Sequence, residues 1–397
     1  MTTTGQFELS RSRPGGNREP RILFLALDIE LNRRRGDAIH TRELALHFGS
    51  LGSEVCLITA TPHDLAPNLG PNVVHRSRTP RSDLSLALWC SRVAREFRAD
   101  VIYERRYSCK IGLAVKMLRA LPLVVEINGL VDEEARIQRR ERPPRPPRLR
   151  RWWYRRMFGS ADGIIAVTDS IKAALVDAHG VPTSRIDVVS NGANTELFRP
   201  LDRSACRTAL GLKEQPLVCF VGELTPWQGV DVLIRAASIL RGQVPPVLVL
   251  IVGNGMERDE LENLATKLGA PVRFIGPVGY EDVPLYLGAS DVAVVPKLPL
   301  TSGYSPLKVY ESLACGRTVV ASRTSGLEFV EARDVGLLVP PGDASALAEA
   351  IAQLLADPRR CEDMGARARE VALREYSWRR TAERVLSAVR RFGGFES

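Results

Sequence analysis

Short apolar runs alternate along this chain with longer stretches whose apolar positions fall at helical spacing. Residues 21–27, 54–59, 100–103, 123–127, 163–167 and 186–189 read as strands, and an amphipathic helix is expected after the loop 28–37, with Leu44, Leu46 and Phe48 on its buried face. The pattern breaks at residues 196–202, which carry Pro200 and few apolar positions, and then restarts with runs beginning at Leu217, Val247, Val272, Asp291, Thr318 and Gly336. Strands that alternate with helices imply an α/β fold built on parallel sheets with helices on both faces. A chain of 397 residues exceeds one ordinary core, so two domains of about 180 residues are expected. A last helix, residues 378–392, follows a break at Glu375-Tyr376-Ser377.

Chemistry concentrates where strands end. In residues 303–322, GYSPLKVYESLACGRTVVAS, Ser305 suits a helix N-cap, Pro306 the first helical position and Gly316 the far end. The free N–H groups of Leu307 and Lys308 would face a phosphate, and Glu311, one turn in, a sugar hydroxyl. A nucleotide sugar presents both groups, although the segment also reads as a plain helix–strand unit. A second unit, residues 217–234, has an apolar strand ending in Gly222 and a helix starting at Gly229; a third ends in Gly253-Asn254-Gly255. Each glycine pair alone reads as a tight turn. Three in series mark the carboxyl edge of a parallel sheet, where ligands bind.

Together these segments resemble the retaining glycosyltransferases of family 4. The resemblance rests on Asn191-Gly192-Ala193 with Phe198 and Pro200, Gly253-Asn254-Gly255, Phe274-Ile275-Gly276, the run 291–296, the Glu311 helix, and residues 336–343, GLLVPPGD. It implies the GT-B fold, two Rossmann-like doubly wound domains facing across a cleft. Residues 19–198 would form the acceptor-binding domain, joined by a terminal helix at 377–397 that crosses back, and residues 199–376 the nucleotide-sugar domain. The implied reaction moves a sugar from a nucleotide diphosphate sugar to a hydroxyl acceptor on a glycan, glycolipid or small-molecule glycoside, with retention and without metal. The nucleotide sugar is then a co-substrate, and no cofactor is expected. No D-x-D motif of the metal-dependent kind is present.

The resemblance assigns Gly36, Gly222, Glu223, Gln228, Gly253, Ser305, Pro306, Leu307 and Glu311 to the donor site, with Glu311 on the ribose. Arg105 and Arg106 fall on the acceptor side. Several positions depart from the family pattern. Glu223 and Gln228 stand where relatives carry an arginine and a lysine for the diphosphate, and Gly303 replaces the first of two glutamates. Asn128 occupies the place of a histidine near the donor sugar, and Gly36 is single where relatives often have two glycines. Asparagine can keep the hydrogen bond without the charge. Lys308 is the first candidate for the missing cation and the arginines at 33–35 the second, so Asn128 and Lys308 are the expected catalytic positions. The same departures leave a rival reading open, a non-catalytic partner subunit of another glycosyltransferase.

Charge alters the picture at one place. Residues 136–156 hold ten arginines and one glutamate, a local excess equal to the net charge of +9 of the whole chain. Four prolines between 143 and 147 forbid a helix there, and from Leu149 onward Trp152, Trp153 and Met157 fall at helical spacing among arginines. Such a helix either lies on an anionic membrane surface, favouring a lipid-linked acceptor, or packs on the first domain. No nucleic-acid-binding module is visible. No apolar run is long enough to span a bilayer and the opening lacks a secretory core, so a cytoplasmic protein, at most peripheral on the membrane, is expected. The seven scattered cysteines read as core residues rather than metal ligands or disulfides.

Overall fold

The computed structural model describes residues 18–33, 36–78, 82–106, 108–129, 148–242, 246–299 and 306–395. Ser305 and most of the basic segment, including Arg145, lie outside them, as do the side chains of Arg148, Leu149, Arg150 and Arg151.

Among the described residues, thirteen strands form two sheets, every pairing parallel. The first contains β1 (Ile22–Ala26), β2 (Val55–Thr59), β3 (Val73–Ser77), β4 (Val101–Arg105), β5 (Leu123–Ile127), β6 (Gly163–Ala166) and β7 (Ile186–Val188), in the order β3-β2-β1-β4-β5-β6-β7. The second contains β8 (Leu217–Val221), β9 (Leu248–Val252), β10 (Val272–Gly276), β11 (Val292–Val295), β12 (Thr318–Ser322) and β13 (Gly336–Val339), ordered β10-β9-β8-β11-β12-β13. Central strands are buried along their length because both faces are covered, which is why they read as unbroken apolar runs. Strand order reverses between β1 and β4, and again between β8 and β11. These switch points open a crevice at the strands' carboxyl ends.

Two expectations fail at the periphery. β3, sequence VVHRS, was not foreseen: it is a half-exposed edge strand, and its polar positions break the apolar run. Leu46 is exposed while Leu44 and Phe48 are buried. The helix Gly36–Ser50 turns about 100° per residue, so a position midway between two inward residues points outward.

The terminal helix, Trp378–Gly393, returns to the first sheet. Trp378, Val385, Leu386 and Val389 share one core with Phe24, Phe48 and Tyr103. The chain crosses between the domains at 193 and again at 377, side by side. Ala193 N–H donates to the Tyr376 carbonyl at 2.7 Å, and Trp378 N–H to the Ala193 carbonyl at 3.1 Å. Gly192 is required there, because a Cβ would stand 2.6 Å from the carbonyl carbon of Ser377.

Candidate active site

The loop after β8 is shaped by close backbone approach. Gly222, at φ +156°, donates its N–H to the Val252 carbonyl at 2.8 Å, and a Cβ on Gly253, at φ +138°, would come within 1.9 Å of the Gly222 carbonyl oxygen. Two strand ends therefore pack backbone on backbone, which side chains would prevent. A short turn, Pro226–Gln228, then leads through Gly229 into the helix Val230–Leu240.

Lys308 projects into this loop. Its ammonium donates to Gln228 Oε1 at 2.9 Å and stands 4.9 Å from the centre of the Phe220 ring, an arrangement that favours a cation. Burial pushes its pKa down to about 8, against the upward pull of Glu311 and Glu223. Glu311 is 8% exposed. Burial raises its carboxyl to about 7, with Glu43 adding to the rise and Tyr280 and Lys308 opposing it. The buried Tyr280 hydroxyl faces Glu311 without the geometry of a well-formed hydrogen bond.

The helix Leu307–Ala314 begins one residue later than the sequence suggests. Pro306 sits at the cap rather than in the first turn, and among the described residues no side chain caps the end. The proline carbonyl already takes the N–H groups of Val309 and Tyr310. The N–H groups of Leu307 and Lys308 have no partner among the described residues and point out of the helix start, where backbone donors suit an anion.

The first domain closes the other side. Gly36 meets Leu307 directly, since a Cβ at Gly36 would stand 3.2 Å from Leu307 Cδ1. Asn194 Nδ2 donates to Glu43 Oε1 at 2.9 Å, which places a second carboxylate beside Glu311 and across the domain junction. Burial raises the Glu43 carboxyl as well.

Deeper in the first domain, Glu126 at the end of β5 gathers donors. His40 Nε2 lies 2.8 Å and Arg105 Nε 3.8 Å from Glu126 Oε1, and Tyr103 OH and Asn128 Nδ2 donate to the carboxylate. Burial acts to raise this carboxyl, but His40, Arg105 and Tyr103 together hold it at about 2. Burial and the Arg105 charge push His40 down, so the pair is best described as a carboxylate facing a neutral imidazole.

This arrangement locates two of the expected residues. Arg105 turns into the Glu126 network, its side chain 11% exposed. Arg33 is held by Glu30 at 2.8 Å on the surface, while Arg34 and Arg35 lie outside the described residues. Arg106 is half-exposed at the end of β4, 3.7 Å from Asp28 Oδ2. Glu223 is exposed in the glycine loop. Asn128 is found beside Glu126, with its Oδ1 buried and unpartnered among the described residues. His40, Glu43, Asn194 and Tyr280 were not anticipated, because a single polar residue inside a helix or at a turn carries no periodic signal. Among the described residues no group of three or more His, Cys, Asp and Glu could hold a metal ion.

Comparison with known proteins decides the family. Residues 35–197 match the model for Glycosyltransferase Family 4 and residues 202–371 that for Glycosyl transferases group 1. The D-inositol 3-phosphate glycosyltransferase of Kribbella flavida is 31% identical over 391 residues, spanning 89% of this chain and 91% of its own. The chain is a family 4 glycosyltransferase. The enzyme of the same name from Mycobacterium tuberculosis (strain H37Ra) is also 31% identical, over 90% of this glycosyltransferase and 79% of its own length. Among solved structures, sucrose-phosphate synthase from Thermosynechococcus elongatus superposes with a TM-score of 0.76 at 23% identity, covering 95% of this chain and 100% of that one. Anabaena Alr3699/HepE in complex with UDP and glucose gives 0.73 at 21% identity, covering 93% and 99%. These likenesses establish the GT-B fold of the glycosyltransferase.

Proposed function

We propose that the protein transfers a sugar from a nucleotide diphosphate sugar to a hydroxyl acceptor with retention at the anomeric carbon and without a metal ion. The observation that carries this reading is the convergence of Lys308 with Gln228, Gly222 and the unpartnered N–H groups of Leu307 and Lys308 at one switch point, with Glu311 one turn behind. Nucleotide sugars agree with the bound UDP and glucose named for the HepE structure.

The diphosphate binds against the glycine loop and the helix end, and Glu311 accepts from the ribose. When the anomeric C–O bond breaks, negative charge grows on the leaving phosphate, and the Lys308 ammonium and helix N–H groups stabilise it. The acceptor oxygen attacks from the face the phosphate leaves. Its proton passes to the departing phosphate oxygen, so a glycosidic bond replaces the phosphate ester and a nucleoside diphosphate is released. Arg106 borders the acceptor side, and Asn128 stands beside Glu126 at the end of β5, near the donor sugar.

Release of nucleoside diphosphate on incubation with a panel of nucleotide sugars, with and without simple glycoside acceptors, tests the reading. Turnover with retained anomeric configuration by NMR is expected, insensitive to a chelator. Tight nucleotide-sugar binding without turnover on any acceptor would favour the non-catalytic partner subunit.

A further inference from the structure

Among the described residues, one face of the first sheet is covered by four helices, Asp83–Phe97, Lys110–Arg119, Arg148–Gly159 and Asp169–His179. All four send side chains into one core: Leu86 and Ala87, Ile111 and Val115, Met157 and Phe158, Ile171 and Leu175. Packing on this sheet thus consumes Met157, as one sequence alternative required, together with Phe158 and Tyr154, which stacks on Phe158.

The tryptophans are not consumed. Trp152 is 57% and Trp153 45% exposed, on the outer side of the same helix as the exposed Arg155 and Arg156. Neighbouring helices of the layer add outward Met117, which is 85% exposed, and Leu118, Leu84 and Leu88. Large apolar side chains exposed singly are ordinary, but six on neighbouring helices of one face, two of them adjacent tryptophans among arginines, ask for a partner. The helix Arg148–Gly159 has five arginines and no acidic residue. It precedes β6 and runs against the strand direction, so its first turn lies at the cleft end of the domain.

We propose that this helical layer docks on an anionic phospholipid surface, with Trp152 and Trp153 seated at the headgroup level. Basic charge draws the face to acidic headgroups, and amphipathic indole rings settle where one edge is apolar and the other wet. The outward leucines and Met117 favour lipid over nucleic acid, since flexible aliphatic side chains offer bases no flat surface to stack on. Docking in this orientation brings the cleft rim to the membrane, where an acceptor carried on a lipid would meet the donor site. The docking itself does not depend on the sugar-transfer reading.

The test is co-sedimentation of the full chain with vesicles of phosphatidylcholine alone and of phosphatidylcholine mixed with an equal part of phosphatidylglycerol. Binding is expected only to the mixed vesicles, weakened by added salt and accompanied by a blue shift of tryptophan emission. The double variant Trp152→Ser/Trp153→Ser should lose at least about tenfold in partitioning. Met117→Gln/Leu118→Gln should lose less, and both should keep the melting temperature of the parent because the replaced side chains are exposed. Failure of the parent to bind mixed vesicles at low salt overturns the proposal. So does binding that the tryptophan variant retains in full, or equal binding to RNA that competes with the vesicles.

Discussion

The Lys308 ammonium rests against Gly222, so closely that a Cβ on that glycine would come within 1.7 Å of Nζ. A cation from one helix thereby occupies the glycine loop of another strand, with Gln228 as its hydrogen-bond partner. Lys308→Met is expected to lower kcat by about 10²-fold while nucleotide-sugar affinity falls much less, because charge on the leaving phosphate develops only in the transition state. Steady-state kinetics with normal kcat would move the phosphate cation elsewhere. Gly222→Ala should show the same kinetic defect, since the added methyl displaces Nζ.

Glu311→Ala should weaken nucleotide-sugar binding by at least tenfold, as expected for a charge-assisted hydrogen bond of about 1.5–3 kcal/mol. Isothermal calorimetry checks this. An unchanged Kd would remove Glu311 from the donor site.

The two shifted groups define a pH window. Glu311 is ionised above about 7 and Lys308 protonated below about 8. The profile of kcat/KM should therefore be bell-shaped and narrow, rising through the first value and falling through the second, because that ratio reports the free enzyme. Lys308→Arg should carry any remaining activity past the alkaline limb, since arginine stays charged. A flat profile across that range would separate both groups from the reaction.

Raised carboxyl pKa values have the opposite consequence for stability. Glu311 has a folded value above its unfolded one, so the folded chain binds the extra proton and loses stability as pH rises from about 4.5 to about 7. Glu311→Gln removes that loss. Its melting temperature should exceed the parent's at pH 8, by an amount that fades toward pH 4.5. Equal melting curves at pH 8 would mean the carboxyl is better solvated than its burial indicates.

Trp378→Ala should cost roughly 3–5 kcal/mol in a urea titration, the usual loss for emptying a buried tryptophan site. The side chain is 1% exposed and lies edge-on to His40, with ring centroids 5.1 Å apart. A loss confined to one of two unfolding transitions would show that the domains unfold separately, and it should fall on the first domain.

Much of this was legible in the sequence because doubly buried parallel strands leave unbroken apolar runs and close backbone contacts leave glycines. Gly222 and Gly253 could be placed at strand ends for that reason, Glu311 by its distance from the helix start, and Gly36, at a helix start, only through the family resemblance. β3 was missed because an edge strand keeps polar positions. The pairing of Arg105 with Glu126, 21 positions away, was not legible because the two meet only through the β4–β5 register. His40 and Tyr280 owe their places to long-range packing that no local pattern encodes.

The crossing at 193 and 377 has a bearing on how the protein comes into being. The first domain lacks one wall of its core until the terminal helix arrives, and that helix is made only after the whole second domain. On the ribosome, Phe24, Phe48 and Tyr103 must wait through the synthesis of about half the chain with their core unfinished, while the second domain has all its strands in one continuous stretch. The domain begun first is thus the one whose core is completed last.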